Sequence, residues 1–338
     1  MDALPEFRVL NPTTLDEVVA ARAAHPDSKP LGGGTDLVVN IRRGIVAPPV
    51  LIDMNRVAGL HTIHADENMI EIGASVTLTA LAEHPAVVKH YPVLAQAASF
   101  IAGPTHRNMG TVGGNLCLDT RCIFYNQSEW WRTANNHCLK TTGTVCHVAP
   151  KSRGVCFATF SGDLAPALLT LDAEVDIAGP AARRSIPLNK LYIGYARQDL
   201  AVTETQGDGK FYLSLRQAEI VTAVRARNTP GLRSAYDKIR IRRSIEYPVA
   251  GAAVALRREG DRLAELRVAF TGTNPRPVLL EGTAALCGGG LDERVFKGLD
   301  ALVRDQIMSM KTTFTPGHYR RRVAGVLARR LLTRLFES

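Results

Sequence analysis

The sequence has few of the residues and segments that mark secreted or membrane proteins. Its 338 residues include only 6 cysteines and 2 tryptophans, and aromatic residues make up 6% of the chain. No apolar run approaches the ~20 residues that a transmembrane helix needs. The N-terminal MDALPEF lacks the basic region and apolar core of a secretory signal. With no low-complexity tract or solenoid-type repeat, the sequence predicts a cytoplasmic globular protein of two or three domains.

Positive charge exceeds negative charge by a formal +9 and is concentrated near the C-terminus. There, YRRRVAGVLARRLLTRLF combines arginines with apolar residues at helical spacing, which favours a surface helix with a solvated basic face. A docking surface for an acidic partner is the alternative. Nucleic acid is not an expected partner, because the basic residues are not interleaved with aromatic ones and no nucleic-acid-binding module is found.

The first half of the chain alternates helix and strand signals. Thr14 followed by Glu17 forms a capping box ahead of an amphipathic helix. The segments PPVLIDMNRV and NMIEIGAS have strand character, whereas VTLTALAEHPAVV and YPVLAQAASFIAG have helical periodicity. Further on, DLAPALLTLDAEVDIAGP returns to a helix and then a strand. These patterns predict an α/β domain over residues 1–210.

The second half has a different pattern, and the turn-rich TQGDGK at residues 205–210 is the predicted boundary. Beyond it, FYLSLRQAEIVTAVRA and AGAAVALRREGDRLAELRVAFTGT indicate an antiparallel sheet, and the closing segments indicate helices on one face of it. The predicted fold class is therefore α+β, with a C-terminal domain over residues 211–338.

Five of the six cysteines fall in one stretch that has no clean periodicity of either kind. Their spacing is Cys117-x4-Cys122-x15-Cys138-x7-Cys146-x9-Cys156. A loop of this length is unusual in a compact domain unless something else orders it. Both tryptophans, Trp130 and Trp131, lie in the same stretch, where they could pack over a cofactor or form a small core.

Three explanations of the cysteine stretch remain open from spacing alone. A disulfide framework suits small secreted chains better than a chain of this length. Structural zinc usually takes paired C-x2–4-C ligands, and only Cys117 with Cys122 comes near that spacing. A [4Fe–4S] cluster needs four thiolates and can take them at irregular intervals, because the cluster itself organises the chain.

Two glycine-rich turns precede the cysteine stretch, GGGTD at residues 32–36 and TVGGN at residues 111–115. Glycines allow a backbone to approach a ligand closely and to turn its N–H groups toward an anion. Two such loops, each with a hydroxyl and a side-chain oxygen, predict a diphosphate held from both sides. Neither matches the loop of nucleoside-triphosphate enzymes or the G-x-G-x-x-G of a Rossmann site, so we expect neither an ATPase nor a nicotinamide enzyme.

Four motifs occur in the order of a known family. GGGTDL, TVGGNL, SGDLAPALLTLDA and SAYDKIRIRRSIEYPVAGAAVAL resemble, in that order, the flavin-binding subunits of the xanthine dehydrogenase and molybdenum hydroxylase family. The resemblance covers nearly the whole chain and implies a two-part FAD-binding domain of the PCMH type. In most members the second motif runs almost directly into the third, whereas here residues 118–159 intervene. This insert, with its run TRCIFYNQSEWWR, resembles that of the 4-hydroxybenzoyl-CoA reductase β subunits, which carry a [4Fe–4S] cluster besides FAD.

The resemblance also implies particular site residues. Asp163 is expected at the ribose of the adenosine, since a carboxylate accepts hydrogen bonds from hydroxyls. Tyr236 and Lys238 are expected near the flavin ring, the alternative being an exposed pair on a strand. The residues implied for the FAD diphosphate are Gly32, Gly33, Gly34, Thr35, Asp36, Thr111, Gly113, Gly114 and Asn115. The implied cluster ligands are Cys122, Cys138, Cys146 and Cys156, and Cys117 is left over.

The function that the resemblance implies is electron transfer, with no catalytic residue in this chain. Electrons from a low-potential donor such as ferredoxin would pass through the cluster and FAD to a small [2Fe–2S] subunit and a large molybdenum-cofactor subunit. There, 4-hydroxybenzoyl-CoA would be reductively dehydroxylated to benzoyl-CoA, in a dimer of heterotrimers. Two alternatives stay open: an FAD subunit of another molybdenum hydroxylase with outward electron flow, and a flavoprotein with a structural zinc loop.

Overall fold

The computed structural model describes residues 4–194, 207–308 and 310–338. The strands are β1 Arg8–Leu10, β2 Lys29–Leu31, β3 Val50–Asp53, β4 Ile63–Ala65, β5 Met69–Gly73, β6 Glu174–Ala178, β7 Arg183–Pro187, β8 Ile220–Arg227, β9 Leu232–Ile239, β10 Ala250–Glu259, β11 Arg262–Thr271 and β12 Val278–Leu279. The helices are α1 Leu15–Ala24, α2 Leu37–Arg42, α3 Leu78–Glu83, α4 Pro85–His90, α5 Pro92–Phe100, α6 Pro104–Arg107, α7 Val112–Leu116, α8 Glu129–Ala134, α9 Leu164–Thr170, α10 Glu293–Gln306 and α11 Gly317–Glu337.

A small parallel sheet of order β1-β3-β2 forms the N-terminal layer. Helix α1 begins at the predicted capping box, in which Thr14 Oγ1 accepts from the Glu17 amide and the Glu17 carboxylate accepts from the Thr14 amide. Its residue Val18 packs with Val50 and Ile52 of β3 in a core that also includes Ala178 of β6 and Ile220 of β8. The loop after β2 leads straight into α2, which places the first glycine motif at the edge of this layer.

A five-stranded antiparallel sheet of order β4-β5-β8-β6-β7 forms the second part of the first domain. Strand β8 lies in the middle of this sheet, between β5 and β6, so the sequence analysis was wrong in assigning that segment to the C-terminal sheet. Alternation identified the strand, but a half-buried pattern does not specify which strands it pairs with. Residues 205 and 206 of the predicted boundary lie outside the described residues, and a domain boundary at residue 210 stays a prediction.

The C-terminal part is an antiparallel sheet of order β12-β11-β10-β9. Seven consecutive residues of β10, Ala250–Leu256, are buried because both faces of this strand are covered. Ala252 and Val254 face a core shared with α10 and α11, whereas Ala253 faces the core of the first domain around α5 and α9. The predicted α+β class, with helices α10 and α11 on one face of an antiparallel sheet, is confirmed.

Helix α11 buries one face and exposes the other. Buried apolar residues recur every three or four positions along it and pack on β10, namely Ala324, Leu327, Ala328, Leu331, Leu332 and Leu335. Arg322, Arg330 and Arg334 are exposed on the other face, as both a solvated basic face and a docking surface for an acidic partner require. Among the described residues, no helix combines the length and the hydropathy that crossing a bilayer would require.

The cysteine stretch folds as a compact insert closed at its neck. Arg121 and Thr159 exchange two backbone hydrogen bonds of 2.9 and 2.8 Å, so the chain enters and leaves at one point. Thr312, in the link between α10 and α11, accepts from the Ile123 amide and contacts Thr159, which ties the insert to the C-terminal part. The insert, all of whose residues are described, is packed between both parts of the molecule although its one helix is the short α8.

The two tryptophans of the insert differ from the expectation. The Trp130 side chain is 79% exposed and forms neither a core nor a cover over the cysteines. Trp131 is half-buried and packs against Phe124, with ring centroids 6.3 Å apart. The buried apolar residues of the insert instead form two small clusters. One combines Tyr125, Cys122 and Cys138 with Ile45, and the other combines Cys146, Val155 and Phe157.

Candidate functional site

The two glycine loops lie against each other with almost no space between their backbones. A β-carbon on Gly33 would lie 1.7 Å from the carbonyl oxygen of Met109, and one on Gly32 would lie 2.9 Å from Thr111 Oγ1. Gly34 has a φ of +71°, a conformation that favours glycine. Any side chain at Gly33 would push the loops apart, so the first motif is required by the close approach of the second.

The second loop forms the start of helix α7. Thr111 caps this helix, and its Oγ1 accepts from the Gly114 amide at 3.2 Å. A β-carbon on Gly113 would lie 2.8 Å from the side chain of Ala74, which holds the loop close to the five-stranded sheet. Asn115 is buried, and its Oδ1 accepts from the Leu164 amide at 3.0 Å. The Asn115 side chain therefore links the second loop to the N-terminus of α9.

Asp36, at the end of the first loop, faces the insert. Its Oδ2 accepts from Asn40 Nδ2 at 2.7 Å and lies 3.6 Å from Arg121 Nη2. Its Oδ1 accepts from the Tyr247 hydroxyl at 3.3 Å. Burial raises the pKa of Asp36, and the Arg121 guanidinium opposes that rise. Thr35 is half-buried beside Asp36, near Gly110 of the neighbouring loop.

Asp163, Tyr236 and Lys238 come together in one buried group. The Tyr236 hydroxyl donates to Asp163 Oδ1 at 2.5 Å, and Lys238 Nζ lies 3.0 Å from the same oxygen. A β-carbon on Gly251 would lie 2.3 Å from the Tyr236 hydroxyl, so this glycine makes room for the ring. Burial and the charge of Asp163 raise the pKa of Tyr236, which keeps it a hydrogen-bond donor.

This grouping differs from the sequence analysis, which considered an exposed strand pair for Tyr236 and Lys238. Both side chains are buried, so that alternative is wrong. No local pattern indicated a direct contact with Asp163, because Asp163 and Tyr236 are 73 residues apart. The ion pair instead forms because the side chains of Tyr236 and Lys238 on β9 reach Asp163 at the N-terminus of α9.

Four of the five clustered cysteines are buried, namely Cys122, Cys138, Cys146 and Cys156, whereas Cys117 is half-buried. Burial raises the pKa of Cys122 to about 11, and the neighbouring Cys138 and Cys146 contribute to the rise. Cys146 and Cys156 share a hydrogen bond, which lowers the pKa of Cys146 and raises that of Cys156. Thiols that are spread along the sequence from residue 122 to residue 156 thus come near one another, Cys122 to Cys138 and Cys146, and Cys146 to Cys156.

Cys117 has different surroundings. Burial raises its pKa to about 12, and its neighbours are tyrosines rather than thiols. The Tyr212 hydroxyl donates to the Cys117 carbonyl at 3.1 Å, and the Tyr192 hydroxyl donates to that of Leu116 at 3.0 Å. Over the described ranges, no three His, Cys, Asp or Glu side chains are arranged to bind a metal ion.

The fold and the glycine loops agree with two family comparisons. Residues 5–226 match the family described as the FAD binding domain in molybdopterin dehydrogenase, and residues 234–335 match the CO dehydrogenase flavoprotein C-terminal domain. The chain is an FAD-binding subunit of the molybdenum hydroxylase family. FAD binding and membership of an oxidoreductase follow from that family.

Curated relatives of this FAD-binding subunit agree with the assignment. The chain is 30% identical over 309 residues to the aldehyde oxidoreductase FAD-binding subunit PaoB of Escherichia coli K12, covering 90% of this chain and 91% of that one. It is 26% identical over 281 residues to the carbon monoxide dehydrogenase medium chain of Hydrogenophaga pseudoflava, covering 82% and 78%. These relatives are named as subunits or medium chains, that is, as parts of larger enzymes.

A solved structure confirms the fold of the FAD-binding subunit. A chain of the Cu,Mo-CO dehydrogenase in its cyanide-inactivated form superposes with a TM-score of 0.77 at 23% identity, covering 99% of both chains. A chain of quinoline 2-oxidoreductase from Pseudomonas putida 86 gives a TM-score of 0.75 at 20% identity, also covering 99% of both chains. At these identities the likeness concerns the fold alone.

Sequence reasoning missed the charged residues that join the FAD-binding loops of this subunit to the cysteine insert. Arg121 lies 3.6 Å from Asp36 and 3.7 Å from Asp119, and Lys140 Nζ contacts the other oxygen of Asp119 at 2.8 Å. The Tyr125 ring lies near both cations, 5.0 Å from the Arg121 guanidinium and 5.1 Å from Lys140 Nζ. Apart from Asp36, these residues lie outside the four family motifs, so only their contacts identify them.

Proposed function

We propose that this chain is the electron-transfer subunit of a molybdenum-containing reductase and that it holds a [4Fe–4S] cluster in addition to FAD. The cluster ligands are Cys122, Cys138, Cys146 and Cys156. Substrate chemistry takes place on a partner subunit, and this chain contributes no catalytic residue. Such a chain has two tasks, which are to hold its redox centres in place and to tune their potentials through burial, hydrogen bonds and charge.

The observation that carries this proposal is the burial of four thiols in one insert, where Cys138 and Cys146 act on Cys122, and Cys146 contacts Cys156. Burying a thiol against other thiols raises the pKa and opposes the thiolate form, as at Cys122. Iron binding reverses that cost, because a coordinating thiol is deprotonated by the metal. In a [4Fe–4S] cluster each thiolate binds a different iron, so its ligands do not have to converge on one point as zinc ligands do.

The FAD site is proposed at the paired glycine loops. Backbone N–H groups of residues 32–34 are free of bulky side chains and bind the diphosphate, with the hydroxyls of Thr35 and Thr111 nearby. The amides of Val112, Gly113 and Gly114 donate to Val76, Ala74 and Thr111, so the second loop supports this site through its close packing. Asp163 uses Oδ1 for Tyr236 and Lys238, and its side chain does not cap α9. Its Oδ2 is therefore the oxygen assigned to a ribose hydroxyl, and Lys238 and Tyr236 hold the carboxylate in place for that contact.

The direction of electron flow is proposed as inward, from a low-potential donor such as ferredoxin toward [2Fe–2S] and molybdenum subunits. The cluster supplies one-electron transfer, and FAD accepts either one or two electrons. The substrate assigned to the large subunit is 4-hydroxybenzoyl-CoA, which is reduced to benzoyl-CoA. The cysteine-containing insert between the TVGGN and SGDLAP motifs supports this choice. A dimer of heterotrimers in the cytoplasm belongs to the same proposal.

A second candidate function is outward electron flow from an oxidised substrate. The names of the relatives favour it, since they are an aldehyde oxidoreductase subunit, a carbon monoxide dehydrogenase chain and a xanthine dehydrogenase subunit. In that case the FAD site is unchanged and the insert serves for assembly or for a different electron acceptor.

The first experiment is anaerobic purification of the chain with iron, zinc and flavin counted on one sample and an EPR spectrum recorded after reduction. About four irons per FAD and a reduced-cluster signal are expected. Zinc without iron would leave the FAD site intact and would refute the cluster. The substrate is then tested by co-expression with the partner subunits. Reduction of 4-hydroxybenzoyl-CoA is expected, and turnover of a purine or an aldehyde instead would establish the second candidate.

A further inference from the structure

Lys140 is a charged residue buried inside the cysteine insert, with its side chain 6% exposed. Its Nζ donates to the carbonyls of Thr120 and Gly209 at 2.8 and 2.9 Å, to the Thr120 hydroxyl, and to Asp119 Oδ1 at 2.8 Å. The ring of Tyr212 lies 5.6 Å from the ammonium, on a segment remote in sequence. A buried ammonium with this many partners has a defined position, unlike the lysines on the surface.

Two contacts and one sequence neighbour place this ammonium near the segments that carry the thiols. Gly209, whose carbonyl accepts from Lys140, donates its own amide to the Cys156 carbonyl at 2.8 Å. The Tyr125 ring, 5.1 Å from Lys140 Nζ, belongs to the residue whose amide donates to Cys122 Sγ at 3.4 Å. Lys140 itself follows Cys138 closely in the chain. The charge therefore lies beside the chain segments of three of the four thiols.

A positive charge in a buried site stabilises negative charge more strongly than it would in water, because the surroundings screen it less. Reduction of an iron–sulfur cluster adds one negative charge at this place.

We infer that Lys140 raises the reduction potential of the cluster bound by Cys122, Cys138, Cys146 and Cys156 by placing a buried positive charge beside it. This inference rests on the proposed function. Hydrogen bonds, net charge and exposure set the potentials of such clusters within a wide range. Removing the Lys140 charge leaves Asp119 with the more distant Arg121, so the surroundings of the thiols become more negative.

The test uses the full chain with its iron and FAD, in three variants. Lys140→Met removes the charge, and Lys140→Gln removes it while keeping donors for the Thr120 and Gly209 carbonyls. Lys151→Met is the matched control, because Lys151 lies in the same insert, between Cys146 and Cys156, but is exposed. The cluster potential is measured by redox titration followed by EPR, and the FAD potential by absorbance in the same titration.

We expect both Lys140 variants to keep iron and FAD and to shift the cluster potential to more negative values. At a fixed potential the ratio of reduced to oxidised cluster should fall about tenfold, which for one electron corresponds to about 59 mV. The Lys151→Met variant should titrate as the wild type does, because solvent and salt screen its charge. The FAD potential should stay within error of the wild type in all three variants.

Two results would overturn the inference while leaving the proposed function intact. One is a wild-type cluster potential in iron-loaded Lys140→Met and Lys140→Gln. The other is loss of iron from both, which would assign Lys140 to the folding of the insert rather than to tuning. A wild-type chain without iron would instead overturn the proposed function itself, and the three cases are distinguished by the iron count together with the potential.

Discussion

The flavin loops and the cysteine insert, which are neighbours in space, are built in different ways. The loops are held by backbone contacts so close that Gly33 has no room for a β-carbon. The insert has one short helix and depends on side chains, including buried thiols, Lys140 and the Arg121 guanidinium. The glycine loops are recognisable in the sequence because sterics allow only glycine at such positions. The charges of the insert are not recognisable in this way, because the rest of the fold determines where each one lies.

Charged side chains join the two regions. Asp36 at the end of the first loop pairs with Arg121 at the neck of the insert, and Arg121 approaches Asp119, the partner of Lys140. Charges alternate along this path, so neither region is left with an isolated buried charge, which would be costly. Because the loops are held by backbone contacts and the insert by side chains, substitutions in one region should affect flavin and those in the other should affect iron. A substitution in the link should affect mainly stability.

The largest effect is expected from removing a thiol of the insert. Cys122→Ser should lose or degrade the cluster while FAD stays bound, because a [4Fe–4S] cluster needs four thiolates and the flavin is held at the glycine loops. Iron and flavin counts on the same sample measure both effects. Cys117→Ser is the matched control and should keep both cofactors. If Cys117 proved essential and Cys122 dispensable, the ligand assignment would be wrong.

The next effect concerns the buried ion pair beside the flavin loops. Asp163→Ala leaves Lys238 buried without its partner, and breaking such a pair costs about 3–5 kcal/mol of the free energy of unfolding. Flavin content should fall as well, through the lost ribose contact. Denaturant unfolding and flavin absorbance measure the two effects. Asp300→Ala, which removes an exposed partner of Arg329, should change stability by less than about 1 kcal/mol. Equal losses in both variants would contradict the prediction.

A β-carbon in the flavin loops should reverse the pattern expected for Cys122→Ser. Gly33→Ala forces the two loops apart, so FAD should be lost and the free energy of unfolding should fall by about 1–3 kcal/mol, the usual range for overpacking. Iron should stay bound to the insert. Gly290→Ala is a suitable control, since a β-carbon there would meet its nearest neighbour at an ordinary 3.5 Å. Normal flavin content in Gly33→Ala would show that the loops tolerate separation.

The smallest effect is expected at the link between the two regions. Because burial raises the pKa of Asp36 above its ordinary value, the folded chain binds this proton more tightly than the unfolded chain does. Asp36 therefore costs stability at neutral pH, and that cost disappears as the pH falls through its raised pKa. Relative to Asp36→Asn, the wild type should gain thermal stability on acidification from neutral pH. A difference in melting temperature between the wild type and Asp36→Asn that stays the same at all pH values would contradict the burial of this carboxylate.

Local patterns in the sequence predicted the fold class and the family, but not every strand partner. The capping box at Thr14, the two glycine loops and the antiparallel C-terminal sheet were recognised in this way, and the structure agrees with them. Strand β8 was recognised as a strand but placed in the wrong sheet, and Trp130 was expected to pack within the insert but is exposed. Such patterns indicate how much of a segment is buried, not which segment covers it.

Residue type and spacing along one stretch are enough to show where glycine is required and which cysteines are grouped. The pairing of Asp163 with Lys238 and the position of Lys140 between Asp119 and Gly209 depend instead on how distant segments pack. The contacts of Lys140 with Gly209 and of Asp163 with Tyr236 join segments 69 and 73 residues apart. A charge gains its strength from the burial and the partners that the folded chain provides.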